Sequence, residues 1–98
     1  METSNSWVIG VDIANEDFVV ALHFRTENNL PSTRGTKTFA NDKKGLKTFL
    51  TWLEKQSLNP EEGQIVLEST GIYGKALAYR AYGAGWNVVI VNPKKISA

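Results

Sequence analysis

The chain has 98 residues, no cysteine, one histidine and a formal net charge of +1. This length allows a single domain, because a chain of this size buries roughly 60 to 65% of the surface that it exposes when unfolded. The composition excludes disulfides and thiolate metal sites, so we expect a cytoplasmic setting and carboxylate ligands for a hard cation such as Mg²⁺. No apolar run is long enough to cross a membrane, and the net charge is too small to indicate a nucleic-acid partner without a local basic cluster.

Three strands are predicted in the first forty residues. Trp7 to Ile13 is a dense apolar run, which is typical of a strand buried on both faces. Phe18 to Phe24 follows after a polar turn and is close enough to pair with it as an antiparallel hairpin. Asparagine, proline and glycine residues predict a loop over 25–35, and a short third strand is predicted from Thr36 to Ala40.

The rest of the chain alternates helices and strands. Asn41 or Asp42 is a candidate cap for a first helix, whose apolar face is Leu46, Phe49, Leu50 and Leu53. Gln64 to Ser69 is predicted as a fourth strand, and Val88 to Val91 as a fifth. Between them a second helix is predicted to run from Thr70 and Gly71 to about Ala84, with a face formed by Tyr73, Leu77, Arg80 or Ala81, and Ala84.

The predicted order is strand, strand, strand, helix, strand, helix, strand. A hairpin meander followed by two right-handed crossovers gives an α/β fold with a mixed five-stranded sheet and helices covering its faces. This is the ribonuclease-H-like arrangement, in which the first strand lies centrally beside the fourth.

Asp12 and Glu68 each lie near the end of a strand whose other residues are apolar. Burial of an unpaired carboxylate is costly, so such residues indicate pairing, protonation or a bound cation. Neighbouring parallel strands would bring both acids to the edge where open α/β sheets bind ligands, and Mg²⁺ suits such oxygen ligands. Two structural alternatives stay open: an Asx-turn at Asp12, and a helix start at which the macrodipole favours the acid Glu68.

Several motifs together resemble the amino-terminal RuvC-like domain of the DEDD transposases, insertion-sequence recombinases related to the Piv and MooV DNA invertases. The resemblance extends from Trp7 to the last residue, and the Glu-Ser-Thr-Gly-x-Tyr block is its most specific part. The motifs are Ile9-Gly10-Val11-Asp12-Ile13-Ala14, Trp52-Leu53, Leu67-Glu68-Ser69-Thr70-Gly71-Ile72-Tyr73-Gly74 and Val91-Asn92-Pro93.

The resemblance implies a metal-binding tetrad of four acids, of which the first two match Asp12 and Glu68. The third and fourth acids have no counterpart in residues 1–98, nor does the family's carboxyl-terminal domain with its serine nucleophile. The chain therefore resembles one RuvC-like domain from the amino-terminal part of a longer enzyme. The parent is expected to cleave and transfer DNA strands with Mg²⁺ or Mn²⁺ through Asp12 and Glu68, and the isolated chain to be nearly inactive.

Further residues are candidates for nucleic-acid contacts. Thr70, Gly71 and Tyr73 complete the family block, where free amides at a helix start suit phosphate; a plain turn with a packed tyrosine is the structural alternative. A basic cluster can follow a phosphate backbone or simply form a solvated surface; its members are Arg34, Lys37, Lys43, Lys44 and Lys47. The resemblance implies DNA, a structured guide RNA and further copies of the protein as partners.

Two other functions remain open at this point. Gly10-Val11-Asp12-Ile13 also resembles the start of an actin-like sugar kinase, but Ala14 and Asn15 stand where the phosphate loop of a kinase has Gly and Ser or Thr. The other function is that of a non-catalytic module for nucleic-acid binding or dimerisation.

Overall fold

The computed structural model describes residues 6–25, 31–68 and 72–91. Its five strands are β1 (Ser6–Ile13), β2 (Asp17–Arg25), β3 (Pro31–Ala40), β4 (Gly63–Glu68) and β5 (Val88–Val91). Its two α-helices are α1 (Lys43–Lys55) and α2 (Lys75–Gly83), and short 3₁₀ turns cover Pro60–Glu62 and Ile72–Gly74. Neither α-helix is long and apolar enough to span a membrane.

All five strands belong to one mixed sheet with the order β3-β2-β1-β4-β5. Strand β1 pairs antiparallel with β2 and parallel with β4, and β5 continues the parallel half of the sheet. The predicted mixed five-stranded sheet is therefore confirmed, with β1 at its centre beside β4.

The core lies on one face of the sheet. Trp7, Ile9 and Val11 alternate along β1 and belong to one buried core with residues of both helices, whereas the intervening Val8 is 38% exposed. The prediction that β1 is buried on both faces is wrong for the described structure, and so is the prediction that helices cover both faces. The physical reason is that α1 and α2 pack side by side on the same face of the sheet. We call the opposite face, which neither helix covers, the open face.

Aromatic rings fill the core between α1 and the antiparallel half of the sheet. Phe49 of α1 is fully buried, and its ring centroid lies 5.4 Å from those of both Phe18 and Phe39. On the parallel half, Trp7 packs edge-on against Trp86 at 5.6 Å. The indole N–H of Trp7 also donates a hydrogen bond to the carbonyl oxygen of Asn59 at 2.8 Å. These contacts fix α1 relative to β2 and β3, and the connection before β4 relative to β1.

Strand β3 is longer than predicted, because it begins at Pro31 and not at Thr36. The predicted loop over 25–35 is therefore wrong for its last residues. The pairing with β2 shifts in register between Ala21 and His23, and Gly35 adopts a positive φ of 100° beside this irregularity. A β-bulge of this kind admits a glycine without ending the strand.

Helix α1 is capped by Asp42, whose side chain accepts a hydrogen bond from the backbone N–H of Gly45 at 2.7 Å. Three of its four predicted face residues are buried, namely Leu46, Phe49 and Leu53; Leu50 is half-buried. Gly45 itself is buried, and a Cβ atom at this position would overlap the carbonyl group of Ala40. The close approach of β3 to the first turn of α1 therefore requires glycine.

Helix α2 begins at Lys75, later than predicted, and buries Leu77 and Ala81. The other predicted face residues, Arg80 and Ala84, are exposed, and Tyr73 precedes the helix with 46% of its surface exposed. The 3₁₀ turn over Ile72–Gly74 takes up the residues that the sequence pattern assigned to the first helical turn.

Candidate metal site and basic surface

Asp12 and Glu68 lie side by side at one end of the parallel strand pair. They are Cα partners in the register of β1 and β4, and adjacent strands are about 4.8 Å apart. Because paired residues point to the same side of a sheet, both carboxylates project from the open face, opposite the helices. The predicted parallel neighbourhood of these strands is confirmed, and it brings the two acids together.

The two acids border a depression of about 300 Å³ on the open face, whose other lining residues are Gly10, Val11, Val19, Ala21 and Val66. Gly10 is paired with Ala21 on one side and with Val66 on the other. The floor of the depression is therefore formed partly by the small residues Gly10 and Ala21, and the two carboxylates lie at the rim of the depression. This arrangement leaves space beside the acids for a cation and a phosphate group.

Both carboxylates are exposed, so the expectation that they are buried is wrong. The reason is again the open face, because a residue there contacts no described helix. Within residues 6–25, 31–68 and 72–91, no cluster of three or more His, Cys, Asp or Glu side chains is placed to hold a metal ion. The pair alone matches the way Mg²⁺ binds in proteins, through one or two carboxylates with water and substrate phosphate as the remaining ligands.

The structure tests one of the two structural alternatives for these acids, the Asx-turn at Asp12. An Asx-turn at Asp12 would use the N–H of Ala14, which instead donates to the carbonyl oxygen of Asp17 at 2.9 Å. Asp12 is therefore not explained by an Asx-turn. The alternative for Glu68, an acid at a helix start, stays a prediction, because residues 69–71, before the 3₁₀ turn over Ile72–Gly74, lie outside the described residues.

The remaining residues of the Glu-Ser-Thr-Gly-x-Tyr block are only partly visible. Thr70 and Gly71 lie outside the described residues. Tyr73 lies in the 3₁₀ turn before α2 with its side chain half-exposed, and its carbonyl oxygen accepts a hydrogen bond from Asn41. The structure therefore places the backbone of Tyr73 beside the junction between β3 and α1.

The structure describes the side chains of four of the five residues in the predicted basic cluster. Arg34 belongs to β3, but its side chain lies outside the described part. The other four residues are exposed around the β3–α1 junction and form what we call the basic surface: Lys37, Lys43, Lys44 and Lys47. A depression of about 330 Å³ with Lys37 and Lys44 among its lining residues lies within this surface.

The basic surface and the carboxylate pair lie on different faces of the sheet. Lys37 is the Cα partner of Val20, whose side chain is in the core, so Lys37 projects from the helix-bearing side. Asp12 and Glu68 project from the open face. The sequence patterns identified both groups, but the structure does not bring them into one pocket.

Asn41 forms side-chain hydrogen bonds near the carboxylate pair that its position in the sequence did not indicate. Asp42, and not Asn41, is the cap of α1. The side-chain amide of Asn41 donates to the carbonyl oxygens of Ala14, at 2.9 Å, and of Tyr73, at 3.1 Å. These partners are 27 and 32 residues away in sequence, so no local pattern could have revealed them.

The fold and the site together define a mixed α/β domain with two carboxylates at the ends of adjacent parallel strands. The sequence profile of the IS110-type DEDD transposase family, described as a transposase, matches residues 9–98. Two pilin gene-inverting proteins are similar over 90 residues: that of Moraxella lacunata is 32% identical and that of Moraxella bovis 31%. The chain belongs to the family of DEDD transposases and Piv-type DNA invertases.

The similar region covers 92% of this chain but 26% of each pilin gene-inverting protein, so the chain spans about a quarter of the length of these relatives. Among solved structures, a Ppx/GppA family member from Aquifex aeolicus has a TM-score of 0.58 at 10% identity and covers 94% of this chain and 37% of its own. An exopolyphosphatase from Cytophaga hutchinsonii has a TM-score of 0.53 at 15% identity, with 88% and 34% covered. These two structures share the fold.

Proposed function

We propose that this chain is the amino-terminal part of a ribonuclease-H-like, RuvC-like catalytic domain, in a transposase or invertase that cleaves and transfers DNA strands. The observation that carries the proposal is the register of β1 and β4, which pairs Asp12 with Glu68. Membership of the DEDD transposase family supports this function, since acids of this type give the family its name.

In this proposal Asp12 and Glu68 hold Mg²⁺, for which Mn²⁺ can substitute. Two carboxylates on a rim beside a depression of about 300 Å³ fit an oxygen-preferring cation that keeps several waters. When bound, such an ion supplies charge stabilisation at a phosphodiester and a more acidic hydroxyl group. The carboxylates themselves orient this charge toward the open face, where the scissile phosphate has access.

The family resemblance adds two further acids and a serine nucleophile from the rest of the polypeptide. On this basis we expect 98 residues with two of the four acids to have almost no cleavage activity alone. A homo-oligomer of the full-length protein follows from the same resemblance, and sedimentation of that protein tests it.

Strand cleavage by the full-length protein is the experiment that tests this function. A supercoiled plasmid carrying the recombination sites is expected to be nicked in the presence of Mg²⁺ or Mn²⁺, and not after chelation of the cation. Cleavage that continues without any divalent cation contradicts the proposal. Tight DNA or RNA binding with no cleavage under any condition favours the non-catalytic module.

The basic surface is proposed to contact the phosphate backbone of DNA, or of a guide RNA paired with DNA. Its lysines are exposed, and three of them, at positions 43, 44 and 47, lie in the first five residues of α1. Each phosphate that a lysine neutralises releases a counterion, so such contacts make binding depend on salt.

We expect the triple variant Lys43→Gln/Lys44→Gln/Lys47→Gln to bind duplex DNA or structured RNA more weakly. The slope of log K against log salt is expected to fall by about 1 for each lost phosphate contact, and by up to about 3 in total. Filter binding at several salt concentrations measures this slope. Lys55→Gln/Lys75→Gln/Arg80→Gln removes the same charge from other exposed positions and is the control. Equal slopes for the two triple variants would mean that the basic surface makes no specific contribution.

A further inference from the structure

The segments that follow the two carboxylates are joined by one side chain. Asn41 lies between β3 and α1, and its amide nitrogen donates one hydrogen bond to the carbonyl oxygen of Ala14 and another to that of Tyr73. Ala14 comes two residues after Asp12, and Tyr73 comes five residues after Glu68. Both N–H groups of this amide are therefore used, one on the segment that follows each carboxylate.

The backbone of Asn41 adds a third connection. Its N–H donates to the carbonyl oxygen of Glu16 at 2.9 Å, in the turn between β1 and β2. This backbone bond fixes Asn41 against the turn independently of its side chain. A substitution at Asn41 therefore keeps the residue in place and removes only the two side-chain hydrogen bonds.

We propose that Asn41 is a positioning residue for the Asp12–Glu68 pair. It holds the turn after β1 and the segment before α2 at a fixed separation, and thereby limits how far the ends of β1 and β4 can move apart. This inference rests on the proposed metal site. Groups that hydrogen-bond directly to metal ligands change metal affinity by about 10 to 100-fold when they are removed, and Asn41, which acts through the backbone beyond the two acids, is expected to have a smaller effect.

Asn87, near the opposite end of β4, provides a matched control for the substitution of Asn41. The amide nitrogen of Asn87 also donates to two backbone carbonyls, those of Pro60 at 3.1 Å and Gly63 at 3.4 Å. These partners precede or begin β4, whereas Glu68 ends it. Asn87→Ala therefore removes the same number and type of hydrogen bonds as Asn41→Ala, but away from the carboxylates.

The first readout is the affinity for Mn²⁺, measured from the paramagnetic broadening of amide resonances during titration of the 98-residue chain. We expect Asn41→Ala to weaken Mn²⁺ binding by up to about tenfold, and Asn87→Ala to leave it unchanged. The melting temperatures of the two variants are expected to be lowered by similar amounts. Equal Mn²⁺ affinity in Asn41→Ala and the wild type overturns the inference.

The second readout requires no metal. Hydrogen exchange of the backbone amides is expected to accelerate near Asp12 and Glu68 in Asn41→Ala, and near Gly63 to Ile65 in Asn87→Ala. The same exchange pattern in both variants overturns the inference, because Asn41 would then be a general stabilising residue. A wild-type chain that binds no Mn²⁺ contradicts the proposed function instead, and the exchange pattern still decides whether Asn41 holds the two strand ends together.

Discussion

Replacing Asp12 by Asn, or Glu68 by Gln, in the full-length protein is expected to lower the rate of DNA strand cleavage by about a thousandfold. Each substitution keeps the shape of the side chain and removes one negative charge from the pair. A bound cation contributes several kcal/mol to the stabilisation of transition-state charge, and about 4 kcal/mol corresponds to three powers of ten in rate. Rates of plasmid nicking under single-turnover conditions measure this loss.

The stability of both variants is expected to remain close to that of the wild type. Asp12 and Glu68 are exposed, and substitutions at exposed positions usually change the free energy of unfolding by less than about 0.5 kcal/mol. Glu54→Gln is a suitable control, because Glu54 is an exposed carboxylate on α1, away from the open face. A variant at Asp12 or Glu68 that cleaves as fast as Glu54→Gln would show that its carboxylate has no part in the reaction.

Gly45→Ala is expected to have the largest effect on stability, lowering the free energy of unfolding by about 3 kcal/mol. The added Cβ overlaps the backbone carbonyl of Ala40, which cannot move aside as a flexible side chain can. The first turn of α1 must therefore shift, at a cost of about 1 to 3 kcal/mol for overpacking and about 1 kcal/mol for a weakened cap at Asp42. Urea unfolding of the 98-residue chain measures the change.

Gly83→Ala provides the matched comparison in the other helix. Gly83 is the last residue of α2, and a Cβ at this position meets no atom within 4 Å. Alanine is a better helix former than glycine by about 1 kcal/mol, so this variant is expected to be as stable as the wild type or slightly more so. If Gly45→Ala behaved in the same way, the close contact between β3 and α1 would not exist in solution.

The sequence was sufficient to predict those features that depend on local pattern and on topology. The period of apolar residues predicted the buried face of α1, and the order of strands predicted that β1 and β4 are parallel neighbours. Since Asp12 and Glu68 lie at similar distances from the ends of their strands, this topology also predicted that they meet. The candidate site could therefore be predicted from the sequence alone.

Features that depend on contacts between distant segments were not predictable. The one-sided burial of β1 is different, because its large apolar residues Trp7, Ile9 and Val11 alternate with Val8, Gly10 and Asp12, and this alternation could have indicated a single buried face. Nothing in the sequence around Gly45 indicated that its contact with Ala40 makes glycine necessary there. Asn41 was expected only as a possible cap, because its hydrogen-bond partners lie 27 and 32 residues away.

The central claim is that Asp12 and Glu68 together hold a divalent cation, and Mn²⁺ titration of the 98-residue chain followed by NMR tests it most directly. Mn²⁺ broadens the resonances of nearby amides even when binding is weak, so the broadening locates the ion. We predict that it centres on the ends of β1 and β4, around Asp12 and Glu68, and that it disappears in both Asp12→Asn and Glu68→Gln but persists in Glu54→Gln. Broadening that centres elsewhere, or that survives in either carboxylate variant, would contradict the account.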